Sequence, residues 1–196
     1  MPLEVIHRGG EGITVPYPPL FDGIRKNRGF VDTRGRPDLA AEIAEGLESN
    51  ALRNCLVKIS NENSYFPLGC DLGHNPDPNG PVAQRYVAGG YLQLAAVKYA
   101  DVTTDDFDKF GLALAGALEP LSKKQFWVLE LVGTYVRFRL PGEPAIQAPS
   151  LWIWFFAKAR DQRRALSARE GMISAILMAL HTQSVVSTLD SRKQTI

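Results

Sequence analysis

The chain has 196 residues, 45% hydrophobic and 22% charged, with 22 Lys and Arg against 21 Asp and Glu and a formal net charge of +1. That length supports one domain or two small lobes with a real core. Near-neutrality argues against a free nucleic-acid binder unless the cations cluster, no apolar run reaches membrane-spanning length, and two cysteines argue for a reducing compartment over a disulfide framework.

Residues 1–37 hold Gly and Pro at a density that neither a helix nor a central strand tolerates. They read as an extended N-terminal arm. Its apolar anchors include Tyr17, Leu20, Phe21 and Phe30, the candidate subunit contacts, and its second half is basic. Its own body, a neighbouring subunit or a ligand could each receive the arm, and the neighbour is the preferred surface. No secretory apolar core stands at the start.

Residues 38–118 read as a first helical lobe. Asp38 caps a helix with Leu39, Ile43 and Leu47 on one face. Leu56, Val57 and Ile59 suggest a short strand, and the turn-rich run from Leu68 to Pro81 a loop. Pro81 opens a helix towards Ala100. Gly89 and Gly90 would each destabilise that helix by about 1 kcal/mol, which implies a kink or a close approach of another backbone, RNA included. Thr104 caps a further helix ending near Pro120.

Residues 119–186 read as a second helical lobe. Ser122 caps a helix through Leu140, with Phe126, Leu129, Val132 and Val136 towards the core. Pro141-Gly142-Glu143-Pro144 breaks it. A helix from Pro149 to Arg164 has the aromatic front LWIWFF and a basic back, and Ser167 opens the last helix. Residues 187–196 form a polar, extended tail. The fold expected is mainly α: a two-lobed helical core, a short β element in the first lobe, and extended N- and C-terminal arms.

Catalytic chemistry finds little support. His7, His74 and His181 sit in different segments, and no nucleophile elbow, phosphate loop or paired metal-ligand motif occurs. Cys55, Cys70 and His74 fall short of the four ligands of a structural zinc site. Asp105 and Asp106 are helix-start residues. No catalytic residue, metal or cofactor is expected, and an enzyme is disfavoured. The cations are more suggestive. Arg160, Arg163 and Arg164 share a stripe about 100° wide on a helix. With Arg85, Lys123, Lys124, Arg137 and Arg139 they could line a groove between lobes, where phosphate neutralisation needs clusters and not a high net charge. Tyr86, Tyr91, Phe126, Trp127, Trp152 and Trp154 could stack on unpaired bases, although most such rings are ordinarily core.

One stretch carries a resemblance. Val57 to Asn61, Tyr65-Phe66-Pro67, Asn75-Pro76-Asp77-Pro78, Gln84-Arg85 and Gly90-Tyr91-Leu92 follow one another in order, then Pro120-Leu121, Trp127, Gly133-Thr134-Tyr135-Val136-Arg137-Phe138 and Pro141-Gly142-Glu143. This succession over residues 55–145 resembles the nucleocapsid proteins of orthobunyaviruses, with Leu94 standing where that family has Arg, and the departures leave room for a more distant likeness to the coat proteins of filamentous RNA viruses. The resemblance implies a two-lobed helical protein that sequesters single-stranded RNA between its lobes, independently of sequence, with Arg85 as an RNA contact. It further implies homo-oligomers linked by exchanged arms, a viral polymerase as a further partner, no membrane, and the virion and host cytoplasm as locations. The alternative is a helical protein–protein interaction or regulatory protein without RNA.

Overall fold

The computed structural model describes residues 4–8, 12–21, 26–62, 64–122 and 127–193. Its centre is a sheet of two antiparallel hairpins. The first joins β5 (Tyr65–Pro76) to β6 (Tyr86–Ala96), and the second joins β7 (Trp127–Phe138) to β8 (Ile146–Ala159). β6 and β8 pair antiparallel, giving the order β5-β6-β8-β7. The N-terminal arm supplies β1 (Val5–His7) and β2 (Thr14–Val15), both parallel to β7. A separate two-stranded piece pairs β3 (Leu20–Phe21) with β4 (Lys26–Asn27).

Helices cover one face. α1 (Pro37–Ala41) and α2 (Ala44–Leu47) are short, and the longer helices are α3 (Asn50–Asn61), α4 (Thr104–Ser122) and α5 (Gln162–Lys193). Strand residues of one parity point at them: Leu92 and Leu94 from β6, Leu129 and Leu131 from β7, and Leu151, Ile153, Phe155 and Ala157 from β8. These meet Leu52, Leu56 and Ile59 of α3, Phe107, Leu114 and Leu118 of α4, and Met172, Ile173 and Ile176 of α5. Each fully buried side chain of this size contributes about 1.5–3 kcal/mol. Glu170 of α5 accepts from Ser49 Oγ (2.8 Å) and from the Ala51 amide (3.2 Å), tying α5 to the start of α3.

The expectation of a mainly α, two-lobed helical core is therefore corrected. The chain folds around a mixed sheet whose strands come from both segments, 38–118 and 119–186. The segments 82–100, 122–140 and 149–164, read as helices, are chiefly β6, β7 and β8. The loop expected at 68–81 is largely β5. In LWIWFFAKA the buried positions recur every second residue, whereas in WVLELVGTYVRF they change side along the strand, with Leu129 and Leu131 towards the helices and Val136 and Phe138 in the second core. Val, Ile, Tyr, Phe and Trp favour a pleated, half-buried surface. Conversely, Leu56 to Ile59 lies in α3, capped by Ser49, whose hydroxyl accepts from the Leu52 amide at 3.0 Å. The helix expected from Asp38 divides into α1 and α2. The tail at 187–193 is helical, since α5 continues to Lys193.

Gly89 and Gly90 acquire a different role with this correction. They stand on the central strand β6. A Cβ on Gly89 would collide with the Phe155 carbonyl and the Phe156 ring, and one on Gly90 with the Asp71 carbonyl. The backbones that approach so closely are those of the flanking strands β8 and β5.

The far face of the sheet is covered at one end only. There Val15, Phe66, Leu68, Ala95, Tyr99, Val136, Phe138, Leu140 and Ala148 form a second core, against which Tyr17 and Phe30 of the arm pack. Arg34 latches the arm down. Its guanidinium bonds Asp32 Oδ2 and Glu143 Oε1, both at 2.7 Å, and lies over the rings of Phe66 and Tyr99. The Tyr99 hydroxyl also donates to Glu143.

Candidate functional site

Beyond that second core the far face is open and aromatic. Alternation along β8 brings Trp152, Trp154, Phe156 and Lys158 to it in succession, each half-buried. Trp152 and Trp154 are parallel with centroids 5.4 Å apart, and Trp154 and Phe156 are parallel at 6.3 Å. Tyr91, opposite Trp154 on β6, lies 4.6 Å from Trp152 and 4.9 Å from Trp154. Such pairs contribute about 0.5–1.5 kcal/mol beyond their area burial. Gly89 makes room for the Phe156 ring across the strand. Burial pushes the Tyr91 phenol up, so it remains protonated at neutral pH.

Apolar neighbours extend the surface. Val132 pairs with Trp152, Val128 with Phe156, and Ile6 with Val132; Ile6 and Val128 are each 46% exposed. Two carboxylates flank the aromatic row: Asp71 opposite Tyr91, and Glu130 opposite Trp154. Arg8 reaches Glu130 at 3.6 Å. Asp71 and Glu130 together balance Arg8 and Lys158, so the middle of the face has little net charge.

A buried polar step separates the aromatic row from the second core. Gln93 Nε2 donates to Ser150 Oγ at 3.0 Å, and Ser150 Oγ lies 2.9 Å from Thr134 Oγ1. Gln93 and Ser150 are 1% and 0% exposed. Above this step is a pocket of about 260 Å³ walled by Trp152, Trp154, Val132 and Ile13, with Arg8 at its rim. A second pocket of about 280 Å³ lies where Tyr17, Arg28 and Val31 of the arm face α2 and Pro67–Cys70 of β5.

The cations expected to line one groove are divided between two ends of the sheet. Arg85 precedes Tyr86, which pairs with Ala159; Lys158, Arg160, Arg163 and Arg164 gather there too, the last three exposed. Asp161 lies among them, 3.5 Å from Arg160 and 3.6 Å from Arg164, and accepts from the Arg164 amide at the start of α5. Arg137 pairs with Gln147 at the opposite end, with Arg139 beyond it beside β2. From Gln147 to Ala159 the strand covers about 40 Å. A helical groove joining both sets does not exist. Lys123, Lys124 and Phe126 lie outside the described residues.

Of the rings expected to stack, Tyr91, Trp152 and Trp154 share the open face. Trp127 packs on the helical core, and Tyr86 has the parity of the helical face. Sequence reasoning missed Phe156, Gln93 and Thr134. A count at period two through LWIWFFAK would have placed Phe156 with the tryptophans. Nothing local marks Gln93, which is polar among the apolar residues of a central strand. Of the four arm contacts, Tyr17 donates its hydroxyl to the Leu68 carbonyl at 2.8 Å and meets Phe30 edge-on at 6.1 Å, both on their own chain. Burial pushes the Tyr17 phenol up to about 12. Leu20 is 59% exposed, and the Phe21 side chain lies outside the described residues.

Among the described residues no three His, Cys, Asp or Glu side chains gather as a metal site. Cys55 is fully buried, which pushes its thiol up to about 12, far from the range of a reactive thiolate. No helix among the described residues is long and apolar enough to cross a membrane. Compared with protein-family models, curated proteins and solved structures, the chain has no match.

Proposed function

We propose that this chain binds single-stranded RNA across the open aromatic face, with bases against Tyr91, Trp152, Trp154 and Phe156 and phosphates at the basic end. The observation that carries the reading is the continuity of that surface along β8. The aromatic row runs through Trp152, Trp154 and Phe156 directly into Lys158 and Arg160, with Arg85, Arg163 and Arg164 beside them. Stacking of bases on aromatic rings contributes about 1–3 kcal/mol per base and tolerates any sequence. Asp71 and Glu130 work against phosphate in the middle of the face, so stacking supplies the affinity there and counterion release supplies it at the end.

The test is fluorescence anisotropy of a short labelled oligouridylate. Trp154→Ala should weaken binding about 5- to 150-fold, the loss of one stacked base. Undetectable binding by the wild-type protein at low salt overturns the reading, as does unchanged affinity in Trp154→Ala. The wider form of the proposal is a coat or nucleocapsid role in an RNA virus, and the sequence resemblance alone supports it. Self-association belongs with it: the registers that hold β1 and β2 to β7, made with the β7 of a second copy, would link subunits through their arms. A second reading, a docking surface for a protein partner, is favoured by the exposed apolar flank of Ile6 and Val128. It predicts binding that salt does not weaken and no affinity for RNA.

A further inference from the structure

We infer that the pocket at the foot of the aromatic row is a subsite for one nucleobase, whose polar edge is read by Gln93 and Thr134 and whose phosphate meets Arg8. The inference rests on the RNA reading above and gives it a specificity that stacking alone does not supply.

The size comes first. A pocket of about 260 Å³ is below the range of about 300–1,000 Å³ that takes a drug-sized ligand. It suits one planar ring system. Trp152 and Trp154 of β8 and Ile13, on the arm segment leading into β2, supply its apolar lining. Flat apolar walls of this kind favour a planar guest.

Chemistry at the floor is next. Polar side chains on a buried sheet position are costly without partners. Gln93 commits one donor to Ser150 at 3.0 Å, and Ser150 is in turn 2.9 Å from Thr134. The Gln93 amide carries two N–H donors and an oxygen with two lone pairs, so the Ser150 bond uses one part of that capacity. Gln93 and Thr134 both line the pocket. A carboxamide presents donor and acceptor side by side, the arrangement that matches the adjacent donor and acceptor on a base edge. Ser150 anchors the amide at the floor, leaving its second N–H and its oxygen for a base edge.

At the rim, Arg8 has 67% of its side chain exposed, and its contact with Glu130 is 3.6 Å. An exposed pair at that distance holds Arg8 only weakly. The guanidinium is free to turn towards a phosphate and pair with it bidentately. A neutral sugar would have no use for it, and that separates a nucleotide from a carbohydrate as the guest.

The experiment is titration of tryptophan fluorescence with AMP, GMP, CMP, UMP, adenosine and ribose 5-phosphate, alongside the oligouridylate assay. Saturable quenching by nucleotides is expected, none by ribose 5-phosphate, and at least a fivefold spread among the four bases. Thr134→Val, which keeps the side-chain shape, and Gln93→Leu should each compress that spread, with thermal unfolding showing that the variants remain folded. Arg8→Ala should reduce the preference for AMP over adenosine. Equal response to ribose 5-phosphate, or an unchanged spread in both floor variants, overturns the subsite. If oligouridylate binds and no mononucleotide saturates, the subsite falls while the RNA reading stands; if neither binds, both fall.

Discussion

Replacing Arg34 with Met keeps most of the alkyl stem and removes the guanidinium that holds the arm. In the wild-type chain that group makes two 2.7 Å contacts, to Asp32 and Glu143, and adds a 3.0 Å bond from Nε to Asp32. Breaking a fully buried pair destabilises by about 3–5 kcal/mol, whereas exposed pairs contribute about 0–1 kcal/mol. Arg34 is 20% exposed and its carboxylates 39% and 35%, so solvent screens part of the interaction. The Phe66 and Tyr99 rings, 5.1 and 5.9 Å from the guanidinium carbon, add about 0.5–1 kcal/mol each. A loss of about 2 kcal/mol is the expected result, measured by urea unfolding at pH 7 with linear extrapolation. The pH dependence follows. Burial alone would raise the Asp32 carboxyl, but bonds from the Arg34 side chain and amide outweigh it and hold it below the usual range. Bonds from Arg34 and then Tyr99 lower that of Glu143. Groups lowered in the folded state stabilise it above their unfolded pKa, about 4, and lose that contribution as pH falls through the folded value. The gap between wild type and Arg34→Met should therefore be widest near neutrality and narrow below about pH 4. A difference under about 0.5 kcal/mol at pH 7, the range of an ordinary surface substitution, would refute the latch.

Other consequences are simpler to read. Gly116 of α4 has nothing within 4 Å of a built Cβ, so Gly116→Ala should stabilise by about 0.5–1 kcal/mol in the same unfolding assay. Gly90→Ala should do the opposite by about 1–3 kcal/mol or more, since its methyl meets the Asp71 carbonyl on the neighbouring strand. Alanine at Arg160, Arg163 and Arg164 together should reduce the salt-dependence slope of oligouridylate binding by about 2, three phosphate contacts at about 0.7 each for a single strand. Glu130→Gln should tighten RNA binding several-fold and leave stability nearly unchanged, as measured by anisotropy and thermal unfolding.

The helices α4 and α5 were legible from their apolar period, with Asp105 and Asp106 at the start of one and Ile173, Ile176 and Leu180 on the buried stripe of the other. Their expected caps were misplaced: Thr103, not Thr104, accepts from the Asp106 amide, and Asp161, not Ser167, accepts from the Arg164 amide at the start of α5. The strands were hidden for two reasons. Trp127 to Phe138 and Leu151 to Ala157 are nearly continuous in apolar and aromatic residues, and such runs show a helical spacing as readily as an alternating one. Pro81 then supplied a plausible start for a long helix, where only a short 3-10 turn, Val82–Gln84, precedes β6. The reverse error at Leu56 to Ile59 came from weighing three apolar residues without Leu52, which completes the helical stripe with Leu56 and Ile59. At the site, the rings of Trp152 and Trp154 were legible as candidates, while their company was not. Tyr91 and Gln93 join them through pairing between β6 and β8, which are about 60 residues apart in the chain. No local pattern encodes that register.

The order of the strands has a consequence for the time course of folding. Each hairpin closes locally, β5 with β6 and β7 with β8, yet the two meet only along β6 and β8, and from Ala96 at the end of β6 to Ile146 at the start of β8 is about 50 residues of chain. β1, on the N-terminal side of both hairpins, pairs with Leu131 to Gly133 of β7. During synthesis at about 5–20 residues per second, the arm and the first hairpin wait many seconds for partners. In that interval the edge of β6 that β8 later occupies is bare, and it is an apolar strand edge of the kind that seeds misassembly. The glycines at 89 and 90, which leave that strand narrow enough to be flanked on both sides, also leave it with little side-chain cover while it stands alone.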